Sequence, residues 1–371
     1  MRGFDVGRAC TPGPTGQAER LDGSIVRPAA TPAPDCHAAH QRVCHHSAMA
    51  LVESVPNVSE GRRLEVVDGL AAALASVPGV HLLDRTSDAS HNRSVFTLAG
   101  EVAAVSDALE RLVAGALVEI DMGTQTGEHP RIGAVDVIPF VPLGETTLEA
   151  CVGYARDFGS RIAERFDLPV YLYAAAASRP DRVRLADVRR GGYEGLVTEI
   201  ATAGREPDFG PARTHPRGGA TAVGARPFLI AWNINLESTD LDLAKRIAHR
   251  VRESSGGLPA VQARGFWIQE LGCAQVSMNL LDFTTTPIWR AWEAVRAEAA
   301  QDGVALRESE LIGLAPLAAL LDVADHAGTP ATASDEERVL AAGAFLRLRD
   351  ASPLQALEVR LRAAAAQNVG A

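Results

Sequence analysis

The sequence predicts an α+β protein made of two related subdomains, each an open sheet with helices on one face. Three observations predict it. From residue 50 onward, short apolar runs alternate with longer stretches whose apolar residues recur at helical spacing. The second half, from about 228, orders these as β-α-β-β-α-β. The first half opens in the same order and then adds elements.

Taken in order, Ala50–Val55 reads as a strand, and Leu64–Val77 as a helix with Val67, Leu70, Leu74 and Val77 on one face. Val80–Asp84 and Ser94–Ala99 read as strands, and Ala103–Ile120 as a helix. A polar, Gly-bearing stretch, Asp121–Gly133, leads into a strand at Val135–Val141. Thr146 with Glu149 three residues on has the form of a capping box, opening a helix to about Phe166. Pro169–Ala174 is a strand, and 176–226 a long irregular region rich in Arg and Gly. In the second half Phe228–Leu236 is a strand, and Thr239 caps a helix to about Ser254. Gly265–Leu271 and Ala274–Asp282 are strands, and Thr286-Pro287 starts a helix to about Gln301. Ala305–Ile312 is a strand and Pro316–His326 a helix.

This order is the ferredoxin-like one. A sheet covered on one face leaves the other bare. The two sheets are therefore expected to face each other, helices outside, with a ligand cleft between them. The expected divisions are 49–227 and 228–328, followed by a helical tail, 329–371, packed on the outside. In that tail Ser334 with Glu337, and Ser352 before Pro353, are helix starts. Residues 1–48 carry Pro12, Pro14, Pro28, Pro32 and Pro34 and no period, which predicts a disordered leader or a misassigned start ahead of Met49.

Hydrophobic residues are 47% of the 371, enough for a sizeable core. No apolar run approaches the ~20 residues that span a bilayer, and the first thirty residues hold no apolar signal segment. A net charge of −10 argues against nucleic acid as a partner, so an anionic ligand must be met by local Arg, and with no spanning run no membrane partner is expected. Five unevenly placed Cys make no disulfide framework, which predicts a reducing, cytoplasmic setting. Cys36-His37, His40 and Cys44-His45-His46 have the composition of a metal tract, but nothing around them predicts a fold to fix ligand geometry. No phosphate-binding glycine loop opens any helix.

The most informative segment is Gly127-Glu128-His129-Pro130-Arg131-Ile132-Gly133. His129 stands in a Gly-flanked turn, and imidazole can take and give a proton near neutral pH. A loop His bonded to backbone is the plainer reading. Ser90-His91-Asn92-Arg93-Ser94 is either a turn or the seat of a carboxylate held by Arg93. Asp208–Gly219, and on to Arg226, is a Gly/Pro-rich loop that joins the halves, lets backbone approach a flat ligand, or does both. Asn233 and Asn235 alternate with Ile234 and Leu236, so both Asn face one side, toward a ligand or toward each other. Asn279, near Asp282, is placed similarly.

These segments resemble the glutamate formimidoyltransferases, the folate-dependent formiminotransferases of histidine breakdown. The resemblance runs through Val52–Gly61, Asn92-Arg93, Gly127–Arg131, Pro169–Tyr173, Asp208–Pro211, Gly219–Arg226, Asn233–Leu236 and Gln275–Phe283, collinear across about 50–325. It implies two α/β subdomains around a cleft, a homodimer, and transfer of the formimino group from N-formimino-L-glutamate to N5 of tetrahydrofolate. The family's catalytic histidine falls on His129. Its folate-contacting stretch falls on Gly210, Pro211, Ala212, Arg213, Thr214, His215, Pro216, Arg217, Gly218 and Gly219. Arg217-Gly218 stands where the animal enzymes carry an aromatic residue. Arg93, Arg131 and Arg226 are candidates for the carboxylates of substrate and folate tail, with Glu128 or Asp136 to hold the amidinium or orient the imidazole.

Tetrahydrofolate enters as co-substrate, and no metal is expected, because proton transfer and positioning suffice. Many animal members continue into a cyclodeaminase domain, so a separate protein is expected to supply that activity here. Two other readings stay open: formyl transfer between 5-formyltetrahydrofolate and glutamate, and folate binding without turnover. A hydrolase releasing formamide would usually need a metal-ligand set, and the patterned region has no such cluster.

Overall fold

The computed structural model describes residues 50–369, except 90, 128–129 and 270. The leader, with its Cys/His tract, and His129 itself lie outside the described residues.

The first half begins with β1 (Leu51–Ser54) and β2 (Asn57–Val58), two pieces of one strand position parted at Pro56, which has no N–H to give a ladder. There follow α1 (Leu64–Ala75), β3 (Val80–Asp88), β4 (Arg93–Glu101), α2 (Val102–Glu119), β5 (Val135–Pro142), α3 (Leu148–Phe166) and β6 (Val170–Ala174). The stretch read as irregular then gives a 3₁₀ turn at Pro180–Arg182, α4 (Leu185–Val188), α5 (Gly192–Glu199) and β7 (Thr221–Ala225). The second half is β8 (Ile230–Leu236), α6 (Leu241–Val251), β9 (Val261–Ile268), β10 (Cys273–Leu280), α7 (Ile288–Gln301) and β11 (Leu306–Ile312). It is followed by α8 (Leu317–His326), α9 (Asp335–Phe345) and α10 (Leu357–Val369).

The second sheet runs β9-β10-β8-β11, all antiparallel. The first repeats that order as β3-β4-(β1, β2)-β5, then adds β7 and β6 in parallel. The duplication legible in the sequence is thus a duplication of strand order. On one face of the first sheet, Val52, Phe96, Leu98, Ile138 and Phe140 pack on α1, α2 and α3, with Phe140 and Phe158 edge to face at 5.6 Å. On one face of the second, Trp232, Ile234, Leu236, Val276 and Met278 pack with Ile247, Trp292 and Val295, the Trp232 and Trp292 rings 5.9 Å apart.

Three expectations are corrected. The second face of the first sheet is not bare. Val188 and Leu196 of α4 and α5 cover Val137, Tyr171, Tyr173 and Ala222. Leu357 of α10 covers Leu83 and Ala99, joined by Leu51, Leu143, Leu314 and Leu361. Nor does the tail pack on the outside: Val339, Ala342 and Leu346 extend the second core, and Leu357 is fully buried. The caps fall one residue later than read. Thr147 accepts from Ala150 N at 3.1 Å, and Asp240 from Asp242 N and Leu243 N at 2.8 and 3.1 Å. Asp is the stronger cap of the Thr239-Asp240 pair. The Ser334–Glu337 capping box forms as read. Among the described residues no helix is long and apolar enough to cross a membrane.

Candidate active site

The loop that carries residue 129 is tied at both feet. Arg131 reaches back to Gln125, its Nε bonding the side-chain oxygen and its Nη2 the main-chain oxygen at 2.7 Å. The same Nη2 meets Glu194 of α5 at 3.0 Å. Gln125 Nε2 donates to the Asn92 carbonyl at 3.1 Å. Asn92 is buried with φ +49°, a left-handed conformation that Asn tolerates. Its side chain accepts from Gly61 N at 2.9 Å and donates to the Thr126 carbonyl at 2.8 Å. The Asn92-Arg93 turn therefore holds the loop from one side. Glu60 anchors the next layer: buried, it accepts from the amides of Arg62 and Arg63 and from Arg63 Nε. Burial would raise its pKa, yet those bonds together hold it below the usual carboxylate value.

Beyond Arg131 the chain is stitched to the end of the Gly/Pro-rich loop. Ala134 N donates to Gly218 O, and Ala220 N to Ile132 O, both at 2.9 Å. A Cβ on Gly133 would stand 1.9 Å from Ala220 O, so only glycine allows this approach. Asp136, buried, accepts from Ile132 N at 2.9 Å and pairs with Arg189. Arg93 lies near that pair. Burial first, then the positive charge of Arg189, lowers its pKa against the pull of Asp136 and Asp88.

The loop 210–219 divides by role. Gly210 and Pro211 line an open hollow of about 370 Å³ with Asp167 and Phe209. Arg213 pairs with Asp167 on the surface, where Ala212 and Pro216 are also exposed and Thr214 is half-buried. His215 N and Gly219 O close a turn at 2.8 Å, and His215 Nδ1 accepts from Gly218 N at 2.8 Å and Arg217 N at 3.3 Å. Burial lowers the His215 pKa, with Asp167 opposing and Arg213 and Arg217 adding to the fall. Arg217 caps α2, donating to Val118 O at 2.9 Å and Leu117 O at 3.4 Å, and pairs with Asp121 at 3.4 Å. A smaller hollow, about 110 Å³, is lined by Tyr171, Arg182 and Arg205. Its arginines are engaged within the chain, Arg182 with Asp208 at 2.6 Å and Arg205 with the Arg190 carbonyl at 3.1 Å.

In the second sheet Asn233 and Asn235 do face one side, opposite the buried Trp232 and Ile234. Asn235, fully buried, accepts from Gln275 Nε2 at 2.9 Å and donates to Glu308 Oε1 at 3.2 Å. Asn233 is half-buried between Ser277 and Glu310 of the neighbouring strands. Asn279 is also half-buried, and Asp282 instead ties down the turn through Thr284 and Thr285.

Two residues were passed over in reading the sequence. Gln125 gave no signal inside a polar stretch. Glu53 did give one, a carboxylate in the middle of an apolar strand. Its Oε2 is buried with no hydrogen-bond partner among the described residues. Burial pushes its pKa up to about 8, against the pull of Arg226 and with the push of Glu358. Arg226 also donates to Pro227 O at 3.1 Å and bonds Tyr173, whose phenol is pushed up by burial. No group of three or more His, Cys, Asp or Glu able to hold a metal occurs among the described residues.

The formiminotransferase domain's N-terminal subdomain matches residues 51–226, and the formiminotransferase domain matches 231–355. The chain belongs to the formiminotransferase family. Within that family it is 45% identical over 276 residues to the glutamate formimidoyltransferase of Streptococcus pyogenes serotype M1, covering 74% of this chain and 92% of that one. It is 47% identical over 280 residues to the glutamate formimidoyltransferase of Thermoplasma acidophilum, covering 75% and 92%. The formimidoyltransferase-cyclodeaminase of Mus musculus is 45% identical over 280 residues, which span 74% of this chain and 52% of the mouse protein.

Proposed function

We propose that this chain transfers the formimino group of N-formimino-L-glutamate to N5 of tetrahydrofolate, releasing L-glutamate and 5-formiminotetrahydrofolate. The observation that carries the reading is its family membership, at 45–47% identity to two glutamate formimidoyltransferases over nine-tenths of their length. The loop geometry supports it. Tetrahydrofolate supplies the nucleophilic N5. His129 takes the proton that N5 loses and returns it to the departing glutamate nitrogen, and one imidazole near both atoms serves for both transfers.

The two halves are read as ferredoxin-like subdomains, 49–227 and 228–328, with 329–371 as an added tail. Arg93, Arg226 and Asn233 are assigned to ligand carboxylates and polar edges. In the same reading Arg131, Arg213, Arg217, His215 and Asn235 shape the site, and Gly210, Pro211, Ala212, Thr214, Pro216, Gly218 and Gly219 supply the folate-side backbone. Asp136, committed to Ile132 N and Arg189, fits the role of fixing the start of β5. The protein is proposed to work as a cytoplasmic homodimer without a metal, its product passing to a separate cyclodeaminase. The standalone streptococcal and Thermoplasma relatives support that separation.

The test is a tetrahydrofolate-dependent assay with N-formimino-L-glutamate, following folate product and free glutamate. Equal formation of both products, reduced ~10²–10⁴-fold in His129→Ala, is expected. If the His129→Ala protein kept more than about a tenth of the turnover, the proton shuttle would be wrong. Activity only in glutamate formylation from 5-formyltetrahydrofolate would replace the formimino donor.

A further inference from the structure

We propose that the edge strand β9 holds the p-aminobenzoyl-glutamate tail of the folate co-substrate, with Phe266 against the aromatic ring and Arg264 on a carboxylate. This rests on the reading of tetrahydrofolate as acceptor. On the side of the second sheet away from α6 and α7, the registers place Phe266 beside Gln275 and Asn235 in one row, and Arg264 beside Ser277 and Asn233 in the next. The two rows differ. In the first the amides bond one another: Gln275 Nε2 donates to Asn235 Oδ1, and Asn235 Nδ2 passes on to Glu308. In the second, the side chains of Arg264, Ser277 and Asn233 make no hydrogen bond or ion pair among the described residues. Glu310, at the far end of that row, is already taken by Arg349 at 2.6 Å. Exposure rises outward along the first row, from 0% at Asn235 and 5% at Gln275 to 44% at Phe266.

Free hydrogen-bonding groups beside an exposed ring define the ligand. In a chain of net charge −10, Arg264 is an exposed cation without an acidic partner, and the fork of its guanidinium fits a carboxylate. The Ser277 hydroxyl and the Asn233 amide stand next along the row, able to donate to the same group. Phe266 is two residues along the strand on the same face, ~7 Å away. An aroyl-glutamate separates its ring from its carboxylates by a comparable reach, and a phenyl ring packs well on such a flat ring. N-Formimino-L-glutamate has the carboxylates but no ring, so the pair favours the folate tail. The support is rigid. A Cβ on Gly265, between the two, would lie 2.4 Å from Lys245 N, so α6 sits directly on the back of β9.

The experiment titrates 5-formyltetrahydrofolate, and 6-methyltetrahydropterin as a probe without the tail, into the parent protein, Arg264→Gln, Arg264→Lys and Phe266→Ala by calorimetry. Arg264→Gln is expected to raise the Kd for 5-formyltetrahydrofolate about tenfold, and Phe266→Ala ~3–10-fold. Arg264→Lys, which keeps the charge and loses the fork, is expected to fall between parent and Arg264→Gln. The Kd for 6-methyltetrahydropterin should move by less than about twofold in all three. A Kd for 5-formyltetrahydrofolate within about twofold of the parent in Arg264→Gln would overturn the proposal. So would an equal loss for both probes, which would mark a general disturbance. A Phe266→Ala protein that changes its oligomeric state in sedimentation while its Kd stays put would give the ring to a second copy and overturn it as well. The formimino-transfer assay on the parent tests the reading beneath. A parent that binds 5-formyltetrahydrofolate through Arg264 yet transfers no formimino group would overturn that reading and leave the tail site standing.

Discussion

Glu53 of β1 and Glu358 of α10 are two carboxyls brought to one interface, with Arg226 at the end of β7 as the cation beside them. Ala99 and Val141 flank Glu53 in the sheet, and His81 lies beyond Ala99 on β3. Glu358 itself accepts from Leu317 N at 2.7 Å, at the start of α8. Burial and the second carboxyl together keep a proton on Glu53 up to about pH 8.

That proton has a measurable consequence. In the unfolded chain Glu53 ionises near 4.5, and in the fold near 8, so the native state binds more protons across this window. Stability should therefore fall as pH rises from 4.5 to 8, and level off above, by at most about 1.4 kcal/mol per pH unit. Glu53→Gln should remove this slope. Urea unfolding at pH 5.5, 7 and 8.5 checks it, and parallel slopes in both proteins would contradict it.

His215 should behave in the opposite sense. Its neutral Nδ1 accepts two backbone amides, and burial lowers its pKa. The unfolded chain takes up the proton first, so the 215–219 turn loses stability as pH falls below the ordinary histidine value. A titration of the His215 ring resonances should give a midpoint below 6.5. A midpoint at or above that value would refute the assignment.

Arg217 separates two roles that the sequence left joined. Its guanidinium caps the carboxyl end of α2, favourable by hydrogen bond and helix dipole alike. Arg217→Ala should lower stability by about 1–2 kcal/mol and leave the KM for tetrahydrofolate within about twofold. A tenfold rise in that KM with unchanged stability would return Arg217 to the ligand.

Gly133→Ala tests the stitch between the strand entry after Arg131 and the end of the Gly/Pro-rich loop. The added methyl meets the Ala220 carbonyl, a backbone atom that cannot swing away. A loss of 1–3 kcal/mol or more is expected, with activity falling alongside it. Retained stability and activity would mean that the two segments can part freely.

Repeated order made most of the fold legible. Helices such as α2 and α7 declared themselves by period, and β8 by alternation of Trp232 and Ile234 with Asn233 and Asn235. β7 did not, because a short, fully buried parallel strand of small residues has no alternation to read. α4 and α5 are too short, at four and eight residues, to build a helical stripe. β9 begins four residues before Gly265, in a stretch whose Val261 and Ala263 alternate with Gln262 and Arg264. The site's residue types were legible, but their partners were not. Arg131 finds Glu194, and Arg217 finds Val118, across 63 and 99 residues of chain, distances over which pattern carries no information.

The docking of α10 makes the described chain circular in its contacts. Its last helix lies on strands of the first half, with Arg360 3.9 Å from Asp84 of β3, while Ala315 and Leu357 bind it to the second. Neither half can shed its partner by peeling from one end, for the last helix closes over the sheet that holds the first strand. Denaturation should accordingly run as one cooperative transition, in which fluorescence from the Trp residues of the second half and exchange of amides in β1 report the same midpoint.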